Sequence, residues 1–205
     1  AASDVYKRQL ACGALVRELR AVLGASGLAD AVEVDYLPAP LHSRPERIVP
    51  AIEQRLAELE PERPVILGYA DCGTGGALDR FIDDHTTGPI GRLPGDHCYG
   101  FFAGVDRFEQ LHAEELGTFF LTDFLAKHFE VLVWGGLGID RHPELRDMYF
   151  GSYRRVVLLT QTGDEAVLTA AEHAARLLGL DLAVESTGLE PFAAAVRVAI
   201  GDRVA

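Results

Sequence analysis

The sequence predicts an α/β fold, a mostly parallel sheet flanked by helices in a Rossmann-like three-layer single domain. Three observations carry that prediction. Strand-like apolar runs alternate with amphipathic helical segments along the chain, the pattern of a parallel sheet covered on both faces. The 205 residues, 48% hydrophobic and 24% charged, are enough for one substantial core. No internal repeat, low-complexity stretch or linker marks a second domain.

Ala1 to Gln9 read as a non-native, adapter-derived segment, so the domain is taken as residues 10–205 with most of its first strand missing before Ala11-Cys12-Gly13. Leu15, Val16, Leu19, Val22 and Leu23 then recur at helical spacing over Ala14 to Leu23. Val32 to Leu37 alternates as a half-buried strand that Pro38-Ala39-Pro40 stops. Ser43 and Glu46 have capping-box spacing ahead of Ile48, Ile52 and Leu56, predicting a helix that ends near Glu60.

Pro64 to Tyr69 suits a buried parallel strand and runs into Asp71-Cys72-Gly73-Thr74-Gly75-Gly76, with a helix expected over Ala77 to Asp83. Ile90 to Leu93 is a further short strand before Pro94-Gly95-Asp96-His97-Cys98-Tyr99. Phe101, Phe102, Phe108, Phe119, Phe120, Phe124 and Phe129 fall in segments read as helices, and Phe129 to Gly138 is read as a strand. A short helix near Glu144 to Phe150 follows. Arg155 to Thr160 is a strand, Thr162 and Glu165 cap a helix to Leu178, Asp181 to Glu185 is the last strand, and Glu190 to Ile200 the last helix.

The formal net charge of −12, with scattered basic residues, argues against nucleic acid and anionic membrane surfaces as partners. Apolar stretches such as Val131 to Leu137 fall far short of the ~20 residues that cross a bilayer. The expected location is cytoplasmic. Three cysteines are too few for a disulfide framework and leave one unpaired, so reduced thiols are expected.

Cys12, Cys72 and Cys98 each follow a strand-like segment, and parallel sheets gather ligands outside the carboxyl ends of their strands. The fold itself is therefore expected to bring the three thiols to one edge. A soft sulfur set suits zinc or iron, and His97 beside Cys98 offers a nitrogen ligand. Two other readings stay open. The thiols line a pocket, or they act as nucleophilic or redox groups, since Cys12 and Cys72 precede predicted helices whose dipoles lower a thiol pKa.

Gly73, Thr74, Gly75 and Gly76 can also cradle an anion or cofactor phosphate with consecutive N–H groups, although the P-loop lysine is missing. Asp71 and Asp123 are the candidate catalytic or supporting carboxylates, Asp123 because a carboxylate among so many aromatics needs a partner if buried. His42 and His142 are weaker pocket candidates.

Ala11-Cys12-Gly13-Ala14, Leu41 to Glu46, Asp71 to Gly76, His97-Cys98-Tyr99, Gly117 to Phe124 and Asp140 to Leu145 together resemble the DUF1638 family. The chain departs from that pattern at Gly100, where a glutamate is expected, and at Ala70, where a glycine is. The resemblance implies relatives in methanogens and anaerobic bacteria, often in the setting of corrinoid-dependent methyl or one-carbon transfer. It implies a corrinoid or methyltransferase partner, or a small-molecule ligand. Two functions follow as expectations. One is a metal-dependent enzyme with Cys12, Cys72, Cys98 and His97 around zinc or iron; the other is a non-catalytic carrier or a metal-free thiol-redox protein.

Overall fold

The structure is a computed structural model and describes residues 7–59, 64–85 and 88–201. Its strands divide between two parallel sheets: four strands in the order β2-β1-β3-β4, and three in the order β5-β6-β7. The chain correspondingly forms two compact units. One runs to Phe101 and resumes at Phe192; the other is Phe102–Pro191. The α/β class with parallel sheets flanked by helices holds, but the strands do not make one continuous sheet. β4, at one edge of its sheet, is only three residues long, which gives little ladder for another strand to extend.

In the first unit, β1 (Lys7–Cys12) pairs with both β2 (Val32–Leu37) and β3 (Val65–Gly68), and β3 pairs with β4 (Ile90–Arg92). Lys7 to Gln9, set aside in the sequence, extend β1 on both sides of its ladder. The helices α1 (Val16–Ala25), α2 (Ile48–Ala57) and α3 (Ala77–Asp84) follow β1, β2 and β3 in turn. In α1 and α2 the buried apolar positions are ones the periodicity selects. Leu19, Val22, Leu23, Ile48, Ile52 and Leu78 are all buried.

Two local readings change. The helix after Ser43 begins as a 3-10 turn at Pro45–Arg47, and neither Arg44 nor Arg47 caps a turn with its side chain. Its predicted end near Glu60 lies outside the described residues. After β4 come α4 (Cys98–Ala103) and α5 (Val105–Glu114). The last helix, α9 (Glu190–Gly201), belongs from Phe192 to the first unit, where Phe192 stacks on Phe101 at 5.2 Å between ring centroids.

In the second unit, Thr118–Thr122 is a strand, β5, and not part of a helix. Threonine and phenylalanine favour a pleated, half-buried surface, and Phe119 meets Phe150 and Tyr153 edge-on at 5.3 and 5.7 Å. Phe129 to Gly138 is the reverse case. After α6 (Asp123–Lys127) it continues as a π-helical turn over Glu130–Trp134, not as a strand. α7 (Leu145–Phe150), β6 (Arg155–Thr160), α8 (Glu165–Leu178) and β7 (Asp181–Ser186) match their sequence readings within a residue or two. The cap of α8 is Asp164, whose carboxylate accepts the Ala166 N–H at 3.2 Å, and not Thr162. Leu121, Phe129, Val156, Leu158, Val167 and Ala171 form the centre of this unit's core.

Candidate functional site

The carboxyl edge of the four-stranded sheet carries all three cysteines. Cys12 is the last residue of β1, Cys72 lies in the loop after β3, and Cys98 opens α4 beyond β4. Gly13 fixes the first of these turns. A Cβ there would lie 2.7 Å from the Leu37 carbonyl oxygen and 3.0 Å from the Ala39 nitrogen, so the chain leaves β1 in a close approach that only glycine permits.

The loop after β3 is tightly wound. Cys72 has φ +52°, and Gly73, Gly75 and Gly76 also lie at positive φ. Asp71 holds the winding from inside: its carboxylate accepts the Gly75 N–H at 3.1 Å, the Gly76 N–H at 2.9 Å and the Thr74 hydroxyl. Thr74 in turn accepts the Leu78 N–H at 3.3 Å. The donors over Thr74 to Gly76, expected to cradle an anion or a cofactor phosphate, thus already serve an internal carboxylate. Burial works against the Asp71 charge, but the Thr74, Gly76 and Gly75 donors and the Arg92 charge hold its pKa below the usual range.

A second clamp joins this loop to the one after β4. The Asp71 N–H donates to the Gly95 carbonyl at 3.1 Å and the Cys72 N–H to the Asp96 carbonyl at 2.8 Å. Arg92 donates to the Leu93 and Gly95 carbonyls at 2.8 and 2.9 Å and pairs with both oxygens of Asp79 at 2.6 and 2.9 Å. The Cys72 loop and the loop that leads into Cys98 are therefore stitched to each other. Arg92 escaped the sequence reading because one arginine in a short strand carries no spacing signal.

The three thiols share one neighbourhood and are held protonated. Burial raises the Cys12 pKa, against the Ala14 N–H and the nearby Tyr69 hydroxyl. Burial first, then Cys12, pushes Cys72 up to about 12. Burial, Cys72 and Cys12 together raise Cys98 well above the usual thiol value. The expected acidification by helix dipoles is not found. α3 begins five residues beyond Cys72 and only a three-residue 3-10 turn follows Cys12, whereas a helix's field fades within its first turn.

Tyr69 lies beside them. It is 2% exposed, and its hydroxyl finds no hydrogen bond of ordinary geometry among the described residues. Burial, Cys12 and Cys72 all disfavour its ionisation. Gly100, where the sequence departs from the family pattern, is buried with nothing within 4 Å of the place a Cβ would take.

The remaining candidates do not join this group. His97, the expected fourth ligand, is exposed, its ring 6.3 Å from that of Tyr99. Among the described residues, no three His, Cys, Asp or Glu side chains are arranged to hold a metal ion. Asp123 belongs to the second unit and is 1% exposed. It accepts the Gln161 N–H at 3.1 Å and the Thr162 N–H and hydroxyl at 3.0 and 2.6 Å. These bonds supply the partner that its burial requires. His142 is exposed, 3.4 Å from Glu144, and His42 falls in the 3-10 turn Ala39–Ser43.

Among the described residues no helix is long and apolar enough to cross a membrane. No curated protein and no solved structure matches the chain. A family model described as "Protein of unknown function (DUF1638)" matches residues 36–196, a span that includes Asp71, Cys72 and Cys98 and begins after Cys12. With a match over most of its 205 residues, the chain belongs to the DUF1638 family.

Proposed function

We propose that the chain binds a thiophilic metal ion, zinc or ferrous iron, through Cys12, Cys72 and Cys98. Supporting this reading, three cysteines lie at the carboxyl edge of one sheet, at the end of β1, in the loop after β3 and at the start of α4. Sulfur is the donor that such ions prefer. The donor set fits in chemistry, but among the described residues no three such side chains are arranged to hold an ion. Uptake therefore requires the cysteine side chains to rearrange and release their protons, with affinity rising as pH rises.

A bound ion with an open position would supply Lewis acidity or hold a sulfur ligand. The chain's own residues set the frame: Asp71 fixes the Cys72 loop, and Arg92 ties it to the loop that precedes Cys98. Thiols held protonated do not favour a redox or nucleophilic role, which requires a thiolate without an ion to stabilise it. Nothing in the geometry supports a reaction or the corrinoid-linked setting that the family resemblance implies; binding is the function proposed.

Elemental analysis of protein purified without oxygen tests it. The wild type is expected to carry about one zinc or iron per chain, and Cys72→Ser to lose it. If the wild type carries neither, and added zinc or ferrous iron leaves its melting temperature unchanged, metal binding is wrong.

A further inference from the structure

The outer strand of the second unit is left open. β7 ends the order β5-β6-β7, and among the described residues it pairs with β6 alone. In a parallel ladder every second residue turns its N–H and C=O to the same neighbour. The Thr187 N–H donates to the Thr160 carbonyl at 2.9 Å, so the backbone groups of Ala183 and Glu185 face β6 and those of Leu182, Val184 and Ser186 face outward. Such a row templates another strand unless brevity, proline or charge blunts it. β4 is three residues long, whereas β7 has six and no proline. Its Glu185 is drawn back to its own unit by Arg107, bonded to both oxygens at 2.9 Å. Leu182 and Val184 stand in register with Val156 and Leu158 of the core, yet Val184 is 51% exposed. The apolar layer of this sheet therefore runs out at its open edge.

A second copy of the same strand fits this edge, and charge selects its register. An antiparallel pair of β7 strands about a two-fold axis bonds outward residue to outward residue. Centred on Ala183, the pair sets Asp181 opposite Glu185 of the second copy; centred on Glu185, it sets that carboxylate opposite itself. Like charges directly opposite are destabilising. Centred on Leu182, it leaves Glu185 and Ser186 without partners in the strand. Centred on Val184, it sets Val184 on Val184, Leu182 on Ser186, Ala183 on Glu185 and Asp181 on Thr187, with no like charges facing. We propose that β7 is a self-association edge, at which two copies of this chain join their three-stranded sheets in the register centred on Val184. Leu182, Val184 and Ser186 then exchange N–H···O bonds with the second copy, and the Val184 side chain is covered. One strand pair is a small interface, so monomer and dimer exchange. The net charge of −12 opposes the approach of two copies, and added salt tightens the dimer by screening it.

Sedimentation velocity at rising protein concentration, with amide exchange followed by NMR on the same samples, tests the edge. The wild type is expected to pass from monomer to dimer, and to do so at lower concentration in higher salt. The Leu182, Val184 and Ser186 amides should slow as the dimer forms, whereas those of Ala183 and Glu185, held by β6, should be slow throughout. Val184→Pro removes an outward N–H from each copy and no bond to β6, a position where an edge strand tolerates proline. It should weaken the dimer by about tenfold and leave the far-ultraviolet spectrum of the monomer unchanged. Val184→Glu, which sets two carboxylates against each other on the axis, should also weaken it by about tenfold.

A wild type that stays monomeric, its Leu182, Val184 and Ser186 amides fast at every concentration, would overturn the proposal. A monomer in which those amides are slow throughout would also overturn it, because a segment of the same chain then covers the edge. A dimer that Val184→Glu leaves as tight as the wild type, with the outward amides still fast, would place the interface elsewhere. Where Val184→Pro fails to fold, Val184→Glu and the amides decide alone.

Discussion

The two units end their sheets in opposite ways. At the carboxyl edge of β5 and β6, the Asp123 carboxylate is saturated by Gln161 and Thr162, the Asp123 N–H returns a bond to the Gln161 side chain at 3.1 Å, and Thr160 holds the Gly163 N–H. That edge satisfies itself. At the carboxyl edge of β1, β3 and β4, three neutral thiols and the Tyr69 hydroxyl lie together, and the hydroxyl makes no hydrogen bond of ordinary geometry among the described residues. The same architecture thus uses buried polar groups to lock one edge and leaves them uncommitted at the other, which is where a ligand gains most by binding.

The contrast can be broken by attacking each edge. The largest effect is expected from Asp123→Ala, which leaves the Gln161 and Thr162 N–H groups without their acceptor. Urea unfolding should show a loss of about 3 kcal/mol. A loss below about 1 kcal/mol would mean that the second edge is not locked by this carboxylate. Gly13→Ala should come next, at about 2 kcal/mol, because its methyl meets the Leu37 carbonyl oxygen at 2.7 Å. It should also weaken zinc uptake by displacing Cys12, and an unaffected uptake would show that the first edge does not depend on that close approach.

The smallest effect is one of pH. Arg107, bonded to both oxygens of Glu185 at 2.9 Å, holds the Glu185 pKa below its ordinary 4.5 despite partial burial. A depressed carboxylate stabilises the fold fully above its unfolded value and loses that contribution as pH falls through the folded value. Acid unfolding of Glu185→Gln should therefore depend less on pH below 4.5 than that of the wild type. Parallel curves would remove this pair from the second unit's stability.

Much of the first edge was legible in the sequence, because a cysteine placed just after a parallel strand has little choice of edge. The helical faces of α1 and α2 followed from spacing. What escaped was context. Thr118 to Thr122 read as helix because its phenylalanines sat in an aromatic stretch, although its threonines and aromatics favour a strand. The open reading of acidic thiols relied on helix dipoles, although α3 begins at Ala77 as read from the sequence, too far from Cys72 for its field, and burial opposes the charge. Tyr69 gave no signal at all, since the bonding of a hydroxyl is a property of its surroundings and not of its neighbours in sequence.

The return of the chain to its first unit at Phe192 makes that unit discontinuous, whereas the second, Phe102–Pro191, is one unbroken stretch. The stack of Phe192 on Phe101 joins residues far apart in sequence, and closing so long a loop costs entropy before the contact repays it. The first unit is thus the slower of the two to complete, and shortening its loop by circular permutation between Phe101 and Phe192 would relieve it most.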